Sequence, residues 1–512
     1  MDKNKYMMGV DLGTTSTKAV LYRETGEVVA SENVENRLYT PDADTAEQDP
    51  EAIFQSVLRS VGQVMKKSGI DPKDLSFIAF SSAMHSVIAM DDNDRPLTRC
   101  ITWADRRSSK WAKKIKEQLG GQEIYARTGT PIHPMSPLCK IAWLEHEVPE
   151  VSSKTKKYIG IKEYVFFKLF QEYAVDFSIA SCTGLMNLQS LNWDKGALEV
   201  AGITEAKLSR IVSTQARFSG CNRLYADRMG ILPETPIIIG ASDGVLSNLG
   251  VGAVSPGEVA VTIGTSGAIR TVIPQPRTDS QARIFCYALT EDCWVIGGPV
   301  NNGGIVLRWI RDELATAETE TAKRLGMDPY EVLTRIASRV GPGADGLMFL
   351  PYLAGERAPL WNADVRGAFV GLTLSHKREH LFRAALEGVI YNLYSVFLAL
   401  AEAVDHPVTA IKAAGGFAKS ALWRQMLADI FDREVVVPES HDSSCLGACL
   451  LGLYALGKID SFDAVKGMIG ETHRHRPNAS HVQEYRKRVP VFIRLSRTLE
   501  QEYENLAGAP ST

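Results

Sequence analysis

A short segment near the start of the chain combines a carboxylate, a glycine and hydroxyls in a spacing that suits phosphate binding. An apolar run ends at Asp11 and a second begins at Ala19, with Gly13, Thr14 and Thr15 between them. This pattern predicts a β-hairpin with a polar tip, whose amides and hydroxyls can surround phosphate oxygens. We expect Asp11 to hold Mg²⁺ directly or through water. The alternative is an ordinary hairpin whose threonines serve β-structure alone.

A second copy of the pattern lies near the middle of the chain. Residues 258–270 repeat the apolar strand, a turn at Gly264 and Thr265, and a returning strand. Thr262 or Ile263 stands where the first copy has its carboxylate, so we expect any metal on the N-terminal side. The repeat predicts two related halves, and two facing hairpins can clamp one polyphosphate from both sides.

Asp243 is the predicted base for an acceptor hydroxyl. It follows the apolar run Pro236 to Ile239 in the sequence Gly-Ala-Ser-Asp-Gly, which places it at a strand end among small residues. The alternative is a helix N-cap, and the two roles are compatible. Phosphoryl transfer to an alcohol depends mostly on positioning and charge neutralisation, so one carboxylate with Mg²⁺ and backbone amides is a sufficient set.

Two further clusters predict a pocket for a polyol. Met84 and His85 follow one strand-like run, and Trp103, Asp105 and Arg106 follow another, so we expect both clusters at the carboxyl ends of the sheet. Positive charge on the histidine or arginine would suit an acceptor with a carboxylate. The alternatives are a core histidine and a local Asp–Arg ion pair at a helix start.

The bulk properties are those of a globular protein with two domains. The chain has 512 residues, 45% of them hydrophobic and 23% charged, and its net charge of −3 gives no reason to expect nucleic acid or membrane partners. We expect no secretory signal and no membrane span. Eight cysteines without a Cys-x-x-Cys pair are typical of reduced thiols in a cytoplasmic enzyme.

Alternating strand-like and helix-like segments predict an α/β architecture. Pro50 opens a predicted helix over 49–66, and Leu75 to Phe80 is a predicted buried strand. Pro233 to Gly257 is rich in glycine and proline, so we place a domain boundary near residue 250.

The second half carries two glycine-rich segments next to predicted helices. Gly298 to Gly304 is a predicted loop before a helix over 305–314, and Gly416 lies between a strand and a helix that begins at Ala421. A further predicted helix, Ser444 to Leu456, is lined with small residues that permit close packing.

These blocks, in this order, resemble the FGGY family of carbohydrate kinases, within the actin/hexokinase/Hsp70-like ATPases. The resemblance runs from Tyr6 to about Leu499, and its most specific part is Gly367–Leu372 with the residues up to Glu387; Leu350–Pro359 is also typical of the family. It implies two ribonuclease-H-like α/β domains around a central cleft. Residues 1–250 would carry the metal, the sugar pocket and the base, and residues 251–512 the second hairpin and the adenosine site.

The resemblance also implies roles for individual residues, with ATP and Mg²⁺ in the cleft. Asp243 would be the catalytic base and Asp11 would lie near Mg²⁺. The implied nucleotide-binding residues are Gly13, Thr14, Thr15, Lys18, Gly264, Thr265, Gly304, Gly416 and Ser420. The implied substrate-binding residues are Met84, His85, Trp103, Asp105, Arg106 and Asp243.

Within the family, several passages are most similar to gluconate kinases, among them Ser81–Val87, Ile101–Arg106 and Gly129–Pro134. The expected reaction is phosphorylation of D-gluconate at its terminal hydroxyl. The alternatives are a xylulose- or ribulose-type kinase and, in another class, a non-enzymatic ATP-driven switch. His85, Arg106, Arg107 and Lys140 are unranked candidates for reading the carboxylate. A homodimer is compatible with the sequence.

Overall fold

Two α/β units make up the computed structural model, which describes residues 5–439 and 442–507. The first unit takes in the described residues within 1–254, 272–296 and 440–470. The second takes in those within 255–271, 297–439 and 471–512. The predicted boundary near residue 250 therefore differs from these units, because two later segments, 272–296 and 440–470, belong to the first.

The strands of the described residues are, in chain order, β1 (Tyr6–Leu12), β2 (Ser16–Arg23), β3 (Val28–Glu35), β4 (Glu47–Gln48), β5 (Leu75–Ser82), β6 (Ile88–Met90), β7 (Cys100–Ile101), β8 (Lys157–Ile159), β9 (Ala174–Asp176), β10 (Met186–Asn187), β11 (Asn192–Trp193), β12 (Arg210–Val212), β13 (Arg217–Phe218), β14 (Ile237–Ser242), β15 (Glu258–Ile263), β16 (Gly267–Ile273), β17 (Phe285–Ala288), β18 (Trp294–Val300), β19 (Met348–Leu350), β20 (Ala368–Val370), β21 (Ala410–Ala414), β22 (Val435–Pro438) and β23 (Glu471–His475).

The α-helices of the same residues are α1 (Pro50–Ser68), α2 (Ser109–Gln118), α3 (Gly121–Thr128), α4 (Pro137–Glu147), α5 (Pro149–Ser152), α6 (Ile161–Phe170), α7 (Phe177–Ser181), α8 (Lys195–Ala201), α9 (Arg223–Met229), α10 (Asp243–Gly250), α11 (Gly304–Trp309), α12 (Thr316–Arg324), α13 (Pro329–Ala337), α14 (Arg378–Ala403), α15 (Ala421–Phe431), α16 (Ser443–Ala455) and α17 (Ala479–Ala507).

The first unit is built on a six-stranded sheet in the order β13-β14-β5-β1-β2-β3. Strand β1 is antiparallel to β2 and parallel to β5, and β5 is parallel to β14. The first predicted hairpin is therefore confirmed. Because β1, β5 and β14 run in the same direction, their carboxyl ends meet at one edge of the sheet, where polar residues can be brought together.

Helix α1, which the sequence predicted over 49–66, covers one face of this sheet. Asp49 caps it by accepting from the amides of Glu51 and Ala52, and Pro50 occupies the first helical position, where the missing N–H costs nothing. The apolar residues spaced three and four apart are buried against β2 and β3.

Helices α10 and α16 also pack in the first unit, where α16 lies against β1 and β5. Two glycines permit this packing. A Cβ on Gly9 would lie 2.3 Å from the Cys445 carbonyl oxygen, and one on Gly250 would lie 1.8 Å from that of Ser443. Because the facing backbone lies this close, each position has room for the hydrogen of a glycine but not for a Cβ. The two glycines therefore allow the short separation of β1, α10 and α16.

The sheet of the second unit repeats the pairing pattern of the first. Strand β15 is antiparallel to β16 and parallel to β21, which is parallel to β22; β23 then pairs antiparallel with β22. Both units thus combine a hairpin with two further parallel strands, and the second predicted hairpin is confirmed.

The glycine-rich segment before α11 differs from its prediction. Strand β18 continues to Val300, so the predicted loop is shorter than 298–304. The α-helix begins at Gly304 and ends at Trp309, and a π-helical turn occupies Ile310–Leu314. Backbone pairing into the sheet was not evident from a segment rich in glycine and asparagine.

Helix α14 is the one described helix whose length and apolar composition would allow it to cross a membrane. Its most apolar stretch is 78% buried within the protein, against β19, α13 and α15. Burial of this kind is that of a core helix.

Candidate active site

The tip of the first hairpin is held from several sides. The Gly13 amide donates to the Ser16 carbonyl at 3.0 Å, and a Cβ on Gly13 would lie 2.8 Å from the same oxygen. Trp103 donates from Nε1 to Thr14 Oγ1 at 3.0 Å, while Thr15 is exposed. The tip is therefore a rigid turn with one exposed threonine, which is the geometry expected of a preorganised phosphate loop.

Asp11 lies at the end of β1 beside the end of β5. Ser81 donates to Asp11 Oδ1 at 2.6 Å, and Lys18 is the direct cross-strand partner of Asp11 on β2. Desolvation raises the pKa of the Asp11 carboxyl above its ordinary value, while the Ser81 hydrogen bond and the charge of Lys18 act in the opposite direction. The site is thus a half-buried carboxylate next to a lysine.

Lys18 is paired with Asp442, which directly precedes α16. Its Nζ lies 2.5 Å from Asp442 Oδ1, and Ser444 is a further hydrogen-bond partner of Asp11. Desolvation lowers the pKa of Lys18, but the bond to Asp442 and its charge outweigh this, and the net shift is upward. Sequence reasoning missed Asp442 and Ser444, because the helix start can be read locally while its position beside β1 cannot.

Asp243 is the first residue of α10, directly after β14. Its Oδ1 accepts from the Gly244 amide at 2.6 Å. In the register of the sheet, Ser81 of β5 pairs with both Asp11 and Ala241, and Ser82 pairs with Ser242. The carboxyl ends of β1, β5 and β14 therefore present Asp11, the two serines and Asp243 along one edge.

The backbone just before Asp243 is anchored by buried groups. Ser178 Oγ accepts from the Ser242 amide at 3.1 Å, and Lys162 donates from Nζ to the Ala241 carbonyl at 3.2 Å. Lys162 is fully buried with Asp176, with 2.6 Å between Nζ and Oδ2, and burial lowers the pKa of the lysine. This ion pair leaves the strand end little freedom, which is what a positioned catalytic group requires.

His85 is buried and has an unusual backbone. Its φ is 70°, in the left-handed region that residues with a Cβ rarely adopt. Ring Nδ1 lies 2.8 Å from the Cys182 carbonyl oxygen, and because a carbonyl only accepts, Nδ1 carries the proton. The neighbouring Met84 is half-buried, and with Trp103 it lines a small cavity beside the hairpin tip.

The second acceptor cluster is positioned differently from the prediction. Cys100 and Ile101 form β7, which pairs with β4 in a separate two-stranded ribbon. The expectation that this run ends in the central sheet was therefore wrong. Two strand residues were too few to reveal which partner they pair with.

Asp105 and Arg106 do not pair with each other. Asp105 is buried, and its carboxylate accepts from the Ala46 amide at 3.0 Å and from Arg107 Nε at 3.0 Å. Arg107 also donates to Glu47 at 2.6 Å, while the exposed Arg106 lies 4.0 Å from Asp44. The structure thus ties the Asp105 carboxylate and Arg107 into an ion-pair network and leaves Arg106 at the surface.

All five residues predicted for the nucleotide side of the second unit line one pocket. Its volume is about 670 Å³, and it combines small backbone groups with apolar and polar side chains. The predicted residues that line it are Gly264, Thr265, Gly304, Gly416 and Ser420. Leu307, Phe417, Leu422 and Tyr330 supply apolar surface, and a pocket of this size and lining suits a nucleoside.

The second hairpin tip and the start of α11 are packed backbone to backbone in this pocket. The Gly304 amide donates to the Gly264 carbonyl at 2.7 Å, and a Cβ on Gly304 would lie 2.7 Å from that oxygen. The Ile305 amide donates to the Thr265 carbonyl at 3.0 Å. On the other wall, Ser420 caps α15 by accepting from the Trp423 amide, so its hydroxyl hydrogen can still be donated.

A buried carboxylate, Glu356, supports the segment that leads into Gly304. Its Oε1 accepts from the amides of Asn301 and Arg357 at 2.5 and 2.8 Å. Its Oε2 accepts from the side-chain amides of Asn302 and Asn392 at 3.0 and 2.8 Å. Sequence reasoning did not single out Glu356, although a carboxylate inside the run Leu350–Pro359 was a visible signal.

Both units share the same arrangement of a hairpin and parallel strands, which is the two-domain α/β fold of the actin/hexokinase type. The predicted fold class is confirmed. Residues 6–250 match the model of the FGGY family of carbohydrate kinases, N-terminal domain, and residues 259–456 match that of its C-terminal domain. The chain belongs to the FGGY family of carbohydrate kinases, as its motifs predicted.

Individual relatives are similar over nearly the whole chain. A gluconokinase of Bacillus licheniformis is 66% identical, covering 98% of each chain. A gluconate kinase structure from Lactobacillus acidophilus has a TM-score of 0.93 at 37% identity, covering 98% of this chain and 99% of that one. A ligand-bound xylulose kinase structure from the same organism has a TM-score of 0.92, also at 37% identity, covering 98% and 100%.

Proposed function

We propose that the protein transfers the γ-phosphoryl group of ATP to the terminal hydroxyl of D-gluconate, giving ADP and 6-phospho-D-gluconate. The observation that carries the proposal is the 66% identity to a gluconokinase over nearly the full length of both chains. The fold alone does not choose the sugar, because structures of a gluconate kinase and a xylulose kinase match about equally well. A xylulose- or ribulose-type kinase is therefore the second candidate.

The nucleotide is assigned to the pocket of the second unit. A kinase of this family uses ATP. The adenosine would lie against the apolar surface of Leu307 and Phe417, and the Thr265 hydroxyl, beside Gly304, would face the phosphates. On the first unit, Gly13, Thr14 and Thr15 would receive phosphate oxygens, with Lys18 supporting the hairpin.

Asp11 is the residue that would hold Mg²⁺. Its carboxylate is half-buried at a strand end, with Ser81 as a fixed donor to one oxygen. No group of three or more His, Cys, Asp or Glu suited to a metal occurs among the residues that the structure describes. One carboxylate fits Mg²⁺, which commonly takes one or two carboxylates together with substrate phosphates and water. Bound there, the ion would neutralise charge on the phosphates.

Asp243 would accept the proton of the acceptor hydroxyl. Its carboxylate is half-buried at a helix start and its backbone is anchored through Ser242 and Ala241. Met84, His85, Trp103, Asp105 and Arg106 would form the acceptor site, with Asp105 acting through its ion pair with Arg107.

We place the enzyme in the cytoplasm. All eight cysteines are free thiols and seven of them are buried, which fits a reducing compartment.

The proposal is tested by ADP release from Mg·ATP with gluconate, xylulose, ribulose, glycerol, glucose or no acceptor. Gluconate-dependent turnover well above the blank is the expected result. Turnover with a pentulose instead would support the kinase activity but contradict gluconate as the substrate. An equal rate in every reaction, including the blank, would point to the ATP-driven switch.

A further inference from the structure

Lys140 is a buried cation that the proposed chemistry does not use. It lies on α4, and its side chain is completely inaccessible to solvent. Among the described residues no carboxylate is within ion-pair distance of its Nζ, although the charge of Asp105 partly compensates that of the lysine. Burying an ammonium group is costly unless its N–H groups donate hydrogen bonds. The residues that accept these hydrogen bonds therefore indicate what the lysine does.

Both groups that accept hydrogen bonds from Lys140 are backbone carbonyls. One of them belongs to His85, which is assigned to the proposed sugar site. Lys140 Nζ donates to the His85 carbonyl at 2.7 Å and to the Met135 carbonyl at 2.7 Å. His85 has the left-handed φ of 70° and donates from its ring to Cys182. The histidine is therefore fixed at its carbonyl by Lys140 and at its ring by the Cys182 carbonyl.

We infer that Lys140 is a positioning residue for the acceptor site, which holds the His85 backbone in the left-handed conformation that aims its imidazole. The inference rests on the proposed function, because His85 is assigned to the acceptor there. A left-handed residue with a Cβ persists only where its surroundings hold it. Two bonds from one buried amine to His85 and Met135 tie this turn to α4.

The role does not depend on the charge state of the lysine. Burial lowers the pKa of Lys140 to about 7. A neutral amine keeps two N–H groups, which is enough for both carbonyls. The donors are therefore present on either side of neutral pH.

The test compares three variants with the wild type in steady-state assays with gluconate and Mg·ATP. Lys140→Met removes the donors at similar volume, and Lys140→Gln returns N–H donors on a shorter side chain. Lys157→Met is the matched control, because Lys157 also donates to a backbone carbonyl, that of Leu208 at 2.7 Å, but lies on β8. ADP affinity and the thermal unfolding transition are measured for every variant.

We expect Lys140→Met to raise the KM for gluconate about tenfold or more, the effect of losing strong hydrogen bonds to an ordered group. The KM for ATP and the ADP affinity should stay within about twofold, Lys140→Gln should recover part of the loss, and Lys157→Met should match the wild type. An unchanged KM for gluconate in Lys140→Met would overturn the inference. So would loss of cooperative unfolding or of ADP binding in both Lys140 variants, since the lysine would then be a core residue.

Assays of the wild-type protein distinguish a failure of this inference from a failure of the proposed function. Wild-type protein without gluconate-dependent turnover would remove gluconate as the substrate. The same comparison would then be made with whichever acceptor the wild type phosphorylates, and the KM for that acceptor would decide the role of Lys140.

Discussion

Gly447 of α16 faces Leu246 of α10 so closely that a Cβ on the glycine would lie 2.0 Å from the leucine carbonyl oxygen. The two helices are therefore in backbone contact. Helix α16 begins next to Asp442, the partner of Lys18, and α10 begins with Asp243. Their separation thus helps to set the distance between Asp442 and Asp243, the proposed catalytic base.

Gly447→Ala should destabilise the protein and lower turnover. Alanine is intrinsically the better helix former by about 1 kcal/mol, but forcing a methyl group into a packed backbone contact typically costs about 1–3 kcal/mol and shifts the helices. We expect a lower free energy of unfolding by chemical denaturation and a reduced kcat. Gly467→Ala is the matched control, because a Cβ added to Gly467 would have no other atom within 4 Å. Equal stability of the two variants would show that α10 and α16 can separate freely.

Asp243→Asn should abolish most turnover while binding is kept. The amide cannot accept the hydroxyl proton, and general-base catalysis contributes roughly 10²–10⁴-fold. We expect kcat to fall by about that factor, with ADP and gluconate affinities by calorimetry close to the wild type. Asp49→Asn is the control, since Asp49 caps α1 and asparagine caps equally well. Near-normal turnover in Asp243→Asn would remove this residue from the base role.

Because of Glu163, the free energy of unfolding should fall as the pH rises. It is buried, accepting from Ser209 and Gly160, and burial raises its pKa to about 7. Between its ordinary pKa of about 4.5 and 7, the unfolded chain releases the proton and the folded protein retains it, so unfolding becomes easier with rising pH. The loss is on the order of 3 kcal/mol at pH above 7.

Glu163→Gln does not titrate, so its stability relative to the wild type should increase across this pH window. Denaturant unfolding of both proteins at pH 5 and pH 8 measures the change. A stability difference that is the same at both pH values would mean that Glu163 ionises in the folded protein as it does in the unfolded chain.

Glu356→Gln should weaken nucleotide binding more than acceptor binding. Four N–H groups donate to the two carboxylate oxygens of Glu356. Glutamine has only one acceptor oxygen, so its NH₂ group would face two of these donors without forming a hydrogen bond. The segment leading to Gly304 should loosen, and we expect the KM for ATP to rise about tenfold. Glu318→Ala, which removes a surface ion pair with Arg378, is the control and should have little effect. A selective rise in the KM for gluconate would contradict the assignment of this network to the nucleotide side.

Local signals predicted the elements that carry the site. The alternation around Asp11 and around residues 258–270 gave both hairpins, and Asp49-Pro50 gave the start of α1, because each depends on neighbours in sequence. The partners of Lys18 and His85 could not be predicted, because Asp442 and Lys140 reach them from distant segments. The ribbon of β4 and β7 was missed for the same reason, since two residues carry too little pattern to identify their partner.

The placement of α16 has a consequence for the order in which the protein can mature on the ribosome. The helix that packs on β1 and β5 is encoded after most of the second unit. A nascent chain of 250 residues would hold the complete six-stranded sheet but leave the apolar face beneath α16 uncovered, a state prone to association. The first unit can close its core only after about residue 455 has left the ribosome. The N-terminal half therefore depends on the rest of the translation product, and an expression fragment that stops near residue 250 would lack part of its own core.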